Sequence, residues 1–111
     1  MGEIDTELVK ELDMYIMNDS DIYRQTYVPL AKNYARKKFR GKFNKELAIR
    51  GLKNTVVMRG IEKYRKEFGL GVVNDSTKKA IAEELYSSHE ELVEDELNKL
   101  KEKKKKWKPT N

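Results

Sequence analysis

Apolar residues recur at helical spacing along most of the chain. Ile4, Leu8, Leu12 and Ile16 stand four apart, with Glu7, Lys10 and Glu11 between them. That spacing predicts an amphipathic helix over residues 3–17. Asn18-Asp19-Ser20-Asp21 follows, four side chains that can accept an unpaired amide at a helix start, so a second helix is expected from about Ser20. Pro29 falls inside this second stretch. Lacking an amide proton and crowding the turn before it, it predicts a short helix through Thr26 and a longer one over 29–40. In the longer piece Leu30, Ala31, Tyr34, Ala35 and Phe39 share one face.

Gly41 is placed to end that helix, with basic residues in the last turn, and Asn44 to cap the next one. Residues 45–68 carry Ala48, Ile49, Leu52, Val56, Tyr64 and Phe68 on a continuous face, with Gly51 and Gly60 inside. Each glycine costs a helix roughly 1 kcal/mol against alanine, so two of them point to close helix approach or a bend. Gly69-Leu70-Gly71 closes the helix. Asn74-Asp75-Ser76-Thr77 restarts one, with Asp75 as the expected cap. Ala80, Ile81, Ala82, Leu85 and Tyr86 continue at helical spacing into Val93, Leu97 and Leu100, although Ser87-Ser88-His89 is a place where the helix could break. No strand-like alternation of useful length occurs. The expected fold is all-α, a small bundle of four or five helices around a central hairpin over 29–68. Tyr34, Phe39, Leu52 and Val56 are expected in its core.

The 111 residues and 13.1 kDa correspond to one domain, expected over 1–100, with a flexible lysine-rich tail over 101–111. The absence of cysteine removes disulfides, cysteine zinc sites, iron–sulfur clusters and thiol catalysis. A single histidine, His89, removes multi-histidine metal sites within one chain. Placed on a charged helix, it reads as a surface residue. No carboxylate pair, nucleophile or phosphate loop forms a catalytic pattern, so the chain is read as non-enzymatic, with no cofactor and no metal. No apolar run approaches the ~18 residues of a membrane span. Residues 1–15 are acidic and charged throughout, unlike a signal peptide, and the expected location is cytoplasmic.

Charge changes the picture most, because the net +5 is the residue of four blocks. Residues 1–23 hold one lysine against seven acids, and residues 24–66 hold 14 Lys and Arg against two. Residues 67–98 hold two lysines against nine acids, and residues 99–111 hold seven lysines against one. A basic block of this density can neutralise phosphates and release their counterions. Arg24, Lys32, Arg36, Lys37, Arg40, Lys42, Lys45, Arg50 and Lys53 are its candidate nucleic-acid contacts, joined by Asn33 as an amide able to meet a base or backbone. The helix–short turn–helix outline also matches a helix-turn-helix pair. The ligand is read as DNA or RNA. The alternative is a protein-interaction module: an inhibitor, an adaptor or a minor structural protein that meets a host or viral protein.

The six tyrosines are read as core-wall residues, with Tyr23 or Tyr27 able to stack on bases. The helix bearing Glu83, Glu84, Glu90, Glu91, Glu94, Asp95 and Glu96 repels itself along i,i+3 and i,i+4 pairs. Something basic should lie beside it: the chain's own basic block, or a second copy. A homodimer through Val93, Leu97 and Leu100 is therefore expected, with Trp107 as a further docking residue. Finally, Ile22-Tyr23, Tyr27-Val28-Pro29, Lys32-Asn33, Arg36-Lys37, Gly41-Lys42-Phe43-Asn44, Glu46-Leu47-Ala48, Lys63-Tyr64 and Lys66-Glu67-Phe68-Gly69 together resemble small uncharacterised proteins of bacterial or archaeal viruses and plasmids. The resemblance covers residues 22–69. It implies a mobile-element protein and carries over no catalytic or ligand-binding residue.

Overall fold

A computed structural model describes residues 3–106. Within these residues six helices follow one another: α1 (Thr6–Met17), α2 (Ser20–Ile22), α3 (Val28–Phe39), α4 (Lys45–Leu52), α5 (Met58–Phe68) and α6 (Asp75–Lys106). Two π-helical turns, Tyr23–Tyr27 and Lys53–Val57, join α2 to α3 and α4 to α5 without a break. No strand occurs among the described residues. The fold is the expected all-α bundle, with α6 as its longest member.

α1 begins three residues later than the apolar spacing predicts. Asp5 accepts the Leu8 amide at 3.1 Å and caps it. The buried stripe is Val9, Leu12 and Ile16, and Ile4 lies outside the helix and exposed. Pro29 does not divide the second helix. The turn before it widens, and the Val28 amide reaches back five residues to the Tyr23 carbonyl. Widening relieves the clash that a proline ring makes with the carbonyl four residues earlier. The second π turn holds three consecutive β-branched residues, Thr55-Val56-Val57. Thr55 donates its hydroxyl to the Gly51 carbonyl at 2.7 Å, and Val56 and Val57 are both fully buried. The two π turns touch each other. From the first turn of α5, Arg59 reaches the first of them, donating to the Thr26 hydroxyl at 2.8 Å and to Gln25 Oε1 at 2.5 Å.

The expected caps around the central hairpin are present. The Gly41 amide donates to the Lys38 carbonyl at 3.0 Å and the Lys42 amide to that of Lys37 at 2.8 Å. This is the paired closure a left-handed glycine permits, and Gly41 has φ +71°. Asn44 accepts the Leu47 amide at 3.1 Å. Within the hairpin, Gly51 is there for close approach. The Tyr34 hydroxyl donates to the Ala48 carbonyl at 2.7 Å, and a Cβ on residue 51 would overlap that hydroxyl; at Gly60 it would overlap the Ile16 side chain. Burial pushes the Tyr34 hydroxyl up to about 12.

α6 departs most from expectation. Asn74, not Asp75, caps it, accepting the Thr77 amide at 2.8 Å while its own amide group donates to the Glu3 carbonyl at 2.9 Å. Ser87-Ser88-His89 does not interrupt it. Ser88 shares a 3.0 Å hydrogen bond with the Tyr27 hydroxyl. His89 is a core residue with no exposed surface. Its Nε2–H donates to the Tyr27 carbonyl at 2.9 Å, and its ring meets Tyr27 and Tyr34 edge-on at 4.6 and 5.5 Å between centroids. Contacts step forward along both segments, from Tyr27 beside Ser88 to Lys38 beside Glu94 and Phe39 beside Lys104. α3 therefore runs parallel to the second half of α6. Residues 101–106, expected as a flexible tail, continue this helix.

That seam also changes the account of association. Val93 and Leu97 are 1% and 8% exposed within the single chain, and Leu100 is half-buried against the same core. The proposed dimer stripe is filled intramolecularly, so the reason for a second copy falls away. Trp107 lies outside the described residues. Phe39, expected in the core, is 40% exposed instead; Ala31, Tyr34 and Ala35 fill the buried face of α3.

Two measurements check this packing. Gly51→Ala is expected to cost about 1–3 kcal/mol through overpacking, and distinctly less in a Tyr34→Phe background, where the obstructing oxygen is gone. Equal costs in both backgrounds would contradict the contact. His89 titrates below its usual value because burial disfavours the imidazolium, and the hydrogen bond to Tyr27 offsets only part of that. The unfolded chain binds the proton first as pH falls through about 6.5. Stability is therefore expected to drop from pH 7 toward 5, by up to about 1.4 kcal/mol per pH unit. His89→Phe should flatten the curve in that window, and an unchanged slope would show that another group is responsible.

Candidate nucleic-acid interface

The ten residues singled out from the basic block do not form one surface. Burying Ala31, Tyr34 and Ala35 turns the opposite arc of α3 outward. Lys32, Asn33, Arg36, Lys37 and Arg40 all lie on that arc and are exposed. Among the described residues, none of its four cations comes within 4 Å of a carboxylate. Lys42 follows, exposed, in the turn after α3.

The remaining four are placed elsewhere. Arg24 pairs with Asp21 at 3.1 Å one helical turn away. Lys53 pairs with Asp75 at 3.1 Å. Arg50 lines a cleft of about 250 Å³ between α4 and α6 with Glu46, Lys53, Lys79 and Glu83. Lys45 places its ammonium over the Tyr86 ring at 5.6 Å. These cations stand beside the chain's own acids and aromatic walls. Lys38, on the edge of α3, also turns inward and meets Glu94 at 2.8 Å, holding that carboxyl below its usual range by hydrogen bond and charge. The acidic helix thus finds part of its offset in the chain's own basic block.

Sequence reasoning missed the cations that complete the α3 face. Because α6 runs on beside α3, Lys99 and Lys103 come level with Lys32 and Arg36. The four line a groove of about 250 Å³ between the two helices, floored by Ala35 and Leu100. Glu96 stands on the same wall, bonded to Lys99 at 3.2 Å, with only 14% of its side chain exposed. Lys104 lies just beyond, its ammonium 5.5 Å from the centre of the Phe39 ring. Two basic blocks some sixty residues apart in sequence thereby become one surface. The signal in the sequence was the uninterrupted apolar spacing through Val93, Leu97 and Leu100, which carries the helical phase into the lysines.

Apart from Glu96 in the groove and Glu102 beside Lys99 and Lys103, acidic residues of α6 gather elsewhere. Glu90, Glu91, Glu94 and Asp95 lie together on α6. Asp13 of α1 is pushed up by burial and by the Glu84 charge facing it. No group of three or more acidic or histidine side chains is arranged to hold a metal among the described residues. No described helix is long and apolar enough to cross a membrane. No family model, curated protein or solved structure matches the chain.

Proposed function

We propose that this protein binds nucleic acid without catalysis, as an accessory protein of a mobile element, through the outer arc of α3 and the adjoining end of α6. The observation that supports this most is the arrangement of cations, of which only Lys99 has an acid, Glu96, within 4 Å among the described residues. Lys32, Arg36, Lys37 and Arg40 face solvent with no carboxylate within 4 Å among the described residues, and Lys99 and Lys103 join them across the groove. Elsewhere in the same block Arg24, Lys38, Lys53, Lys63 and Lys66 each stand within 4 Å of a carboxylate, and Arg50 shares its cleft with Glu46 and Glu83.

Spacing fits the same reading. Lys32, Arg36 and Arg40 recur every four residues, as do Lys99 and Lys103. At a rise of 1.5 Å per residue, successive cations stand about 6 Å apart along each helix, a separation of the order of that between neighbouring phosphates on a strand. Counterion release from such contacts makes affinity strongly salt-dependent. Asn33, on the same arc, offers an amide to a base edge or a sugar–phosphate oxygen.

The test compares two sides of the molecule. Binding to duplex DNA, single-stranded DNA and RNA is measured across a salt series. If six cations engage, log affinity is expected to fall with log salt at a slope of roughly −4 to −5. Replacing Lys32, Arg36, Lys99 and Lys103 by Gln should flatten the slope by about 3 units. The matched variant with Arg24, Lys45, Arg50 and Lys53 replaced by Gln should leave it nearly unchanged. No binding to any nucleic acid at low salt, or equal losses in the two variants, would overturn the proposal.

A further inference from the structure

Phe39 is out of place as an ordinary surface residue. It follows Ala35 and Arg36 by one turn along α3, just beyond the residues that line the groove. It is 40% exposed, and its neighbour across the groove is the Lys104 ammonium. An aromatic face set among cations, at the end of an apolar-floored channel, is the combination used to hold bases and backbone together. The other large exposed rings lack this setting. Tyr23 is stacked on Tyr27, beside the Arg24–Asp21 pair. Phe68 is packed with Tyr15 and Tyr64, where Tyr15 donates to Glu67 at 2.7 Å.

Dimensions separate the kinds of nucleic acid. Packed helices lie about 8–10 Å axis to axis, so the furrow between two such helices is narrower than a duplex, which would rest on its rims, whereas a single strand can lie along it. A duplex keeps its base faces stacked inside and offers Phe39 only backbone and base edges. A single strand has bases free to turn outward. We infer that the ligand of this groove is a single strand of DNA or RNA, with a base stacked on Phe39 and the neighbouring phosphates held between the Lys32–Arg36 and Lys99–Lys103 rows. This rests on the nucleic-acid reading of the basic face. The incoming base takes the place of Lys104 on the ring, and the displaced ammonium is then free to meet a phosphate.

The experiment uses the full chain with Trp107→Phe, so that a new tryptophan can be read alone. Oligo-dT, oligo-U and a mixed-sequence duplex of equal length are the probes. The parent is expected to bind the single strands more tightly than the duplex, and the ratio of the two single-strand affinities tells DNA from RNA. Phe39→Leu keeps the apolar bulk and removes the ring. It should lose about 5- to 100-fold on the single strands and little on the duplex, with an unfolding midpoint close to the parent's. Phe39→Trp should keep the affinity, with its fluorescence quenched on adding oligo-dT or oligo-U. A parent that prefers the duplex overturns the inference while leaving nucleic-acid binding standing. So does a Phe39→Leu chain that binds single strands like the parent, or a Phe39→Trp emission that does not respond to bound strand. A parent that binds none of the three probes overturns both.

Discussion

Everything distinctive about this protein depends on the parallel seam between α3 and α6. Its centre is His89, wedged edge-on between Tyr27 and Tyr34 and bonded through Nε2 to the Tyr27 carbonyl. Nδ1 has no hydrogen-bond partner among the described residues. The ring is therefore held neutral, with a bare lone pair in the core. A proton added there would place an unpaired N–H and its charge in apolar surroundings. The seam is a tight fit with one polar weak point. Its geometry is set by the π turn before Pro29, which keeps α2 and α3 in one line so that Tyr27 and Tyr34 both reach the same histidine.

The seam also sorts the charges. α6 is acidic through its middle and basic at its end. Seating α3 on its second half brings Lys38 to Glu94 on one flank and sets Lys32 and Arg36 level with Lys99 and Lys103 on the other. On the first flank opposite charges meet. On the second, like charges meet with Glu96 alone among the groove's side chains to offset them. Like charges facing one another across a groove are disfavoured unless an anion is supplied from outside. That imbalance is the physical content of the nucleic-acid proposal. It explains why only part of a block with net +12 is available for binding.

Much of the frame was legible in the residues. Gly41 and Asn44 fixed the ends of the central hairpin by their cap chemistry. Gly51 and Gly60 announced close helix contacts, which Tyr34 and Ile16 make. Tyr27, Tyr34 and Tyr86 did go to the core. What was hidden is where local signals conflict with packing. Pro29 read as a break, because periodicity cannot show that a widened turn absorbs a proline. His89 read as surface, because its neighbours in sequence are serines and acids while its neighbours in space are tyrosines some sixty residues earlier. Phe39 was assigned to the core because it fits the apolar face of its helix, yet the last turn of α3 extends past the residues that could cover it. Val93 and Leu97 read as an unpartnered stripe for the converse reason, since the helix that covers them lies far back in the chain.

The two basic segments form one surface only if α6 stays docked on α3 as far as Lys104. Pulsed electron resonance between spin labels at Lys37 and Lys101, both solvent-facing, tests it directly. A single narrow distance distribution, unchanged between low and high salt, is the predicted result. A broad distribution, or one that lengthens as salt is lowered and the lysines repel, would show that the end of α6 leaves α3, and the account would be wrong at its foundation.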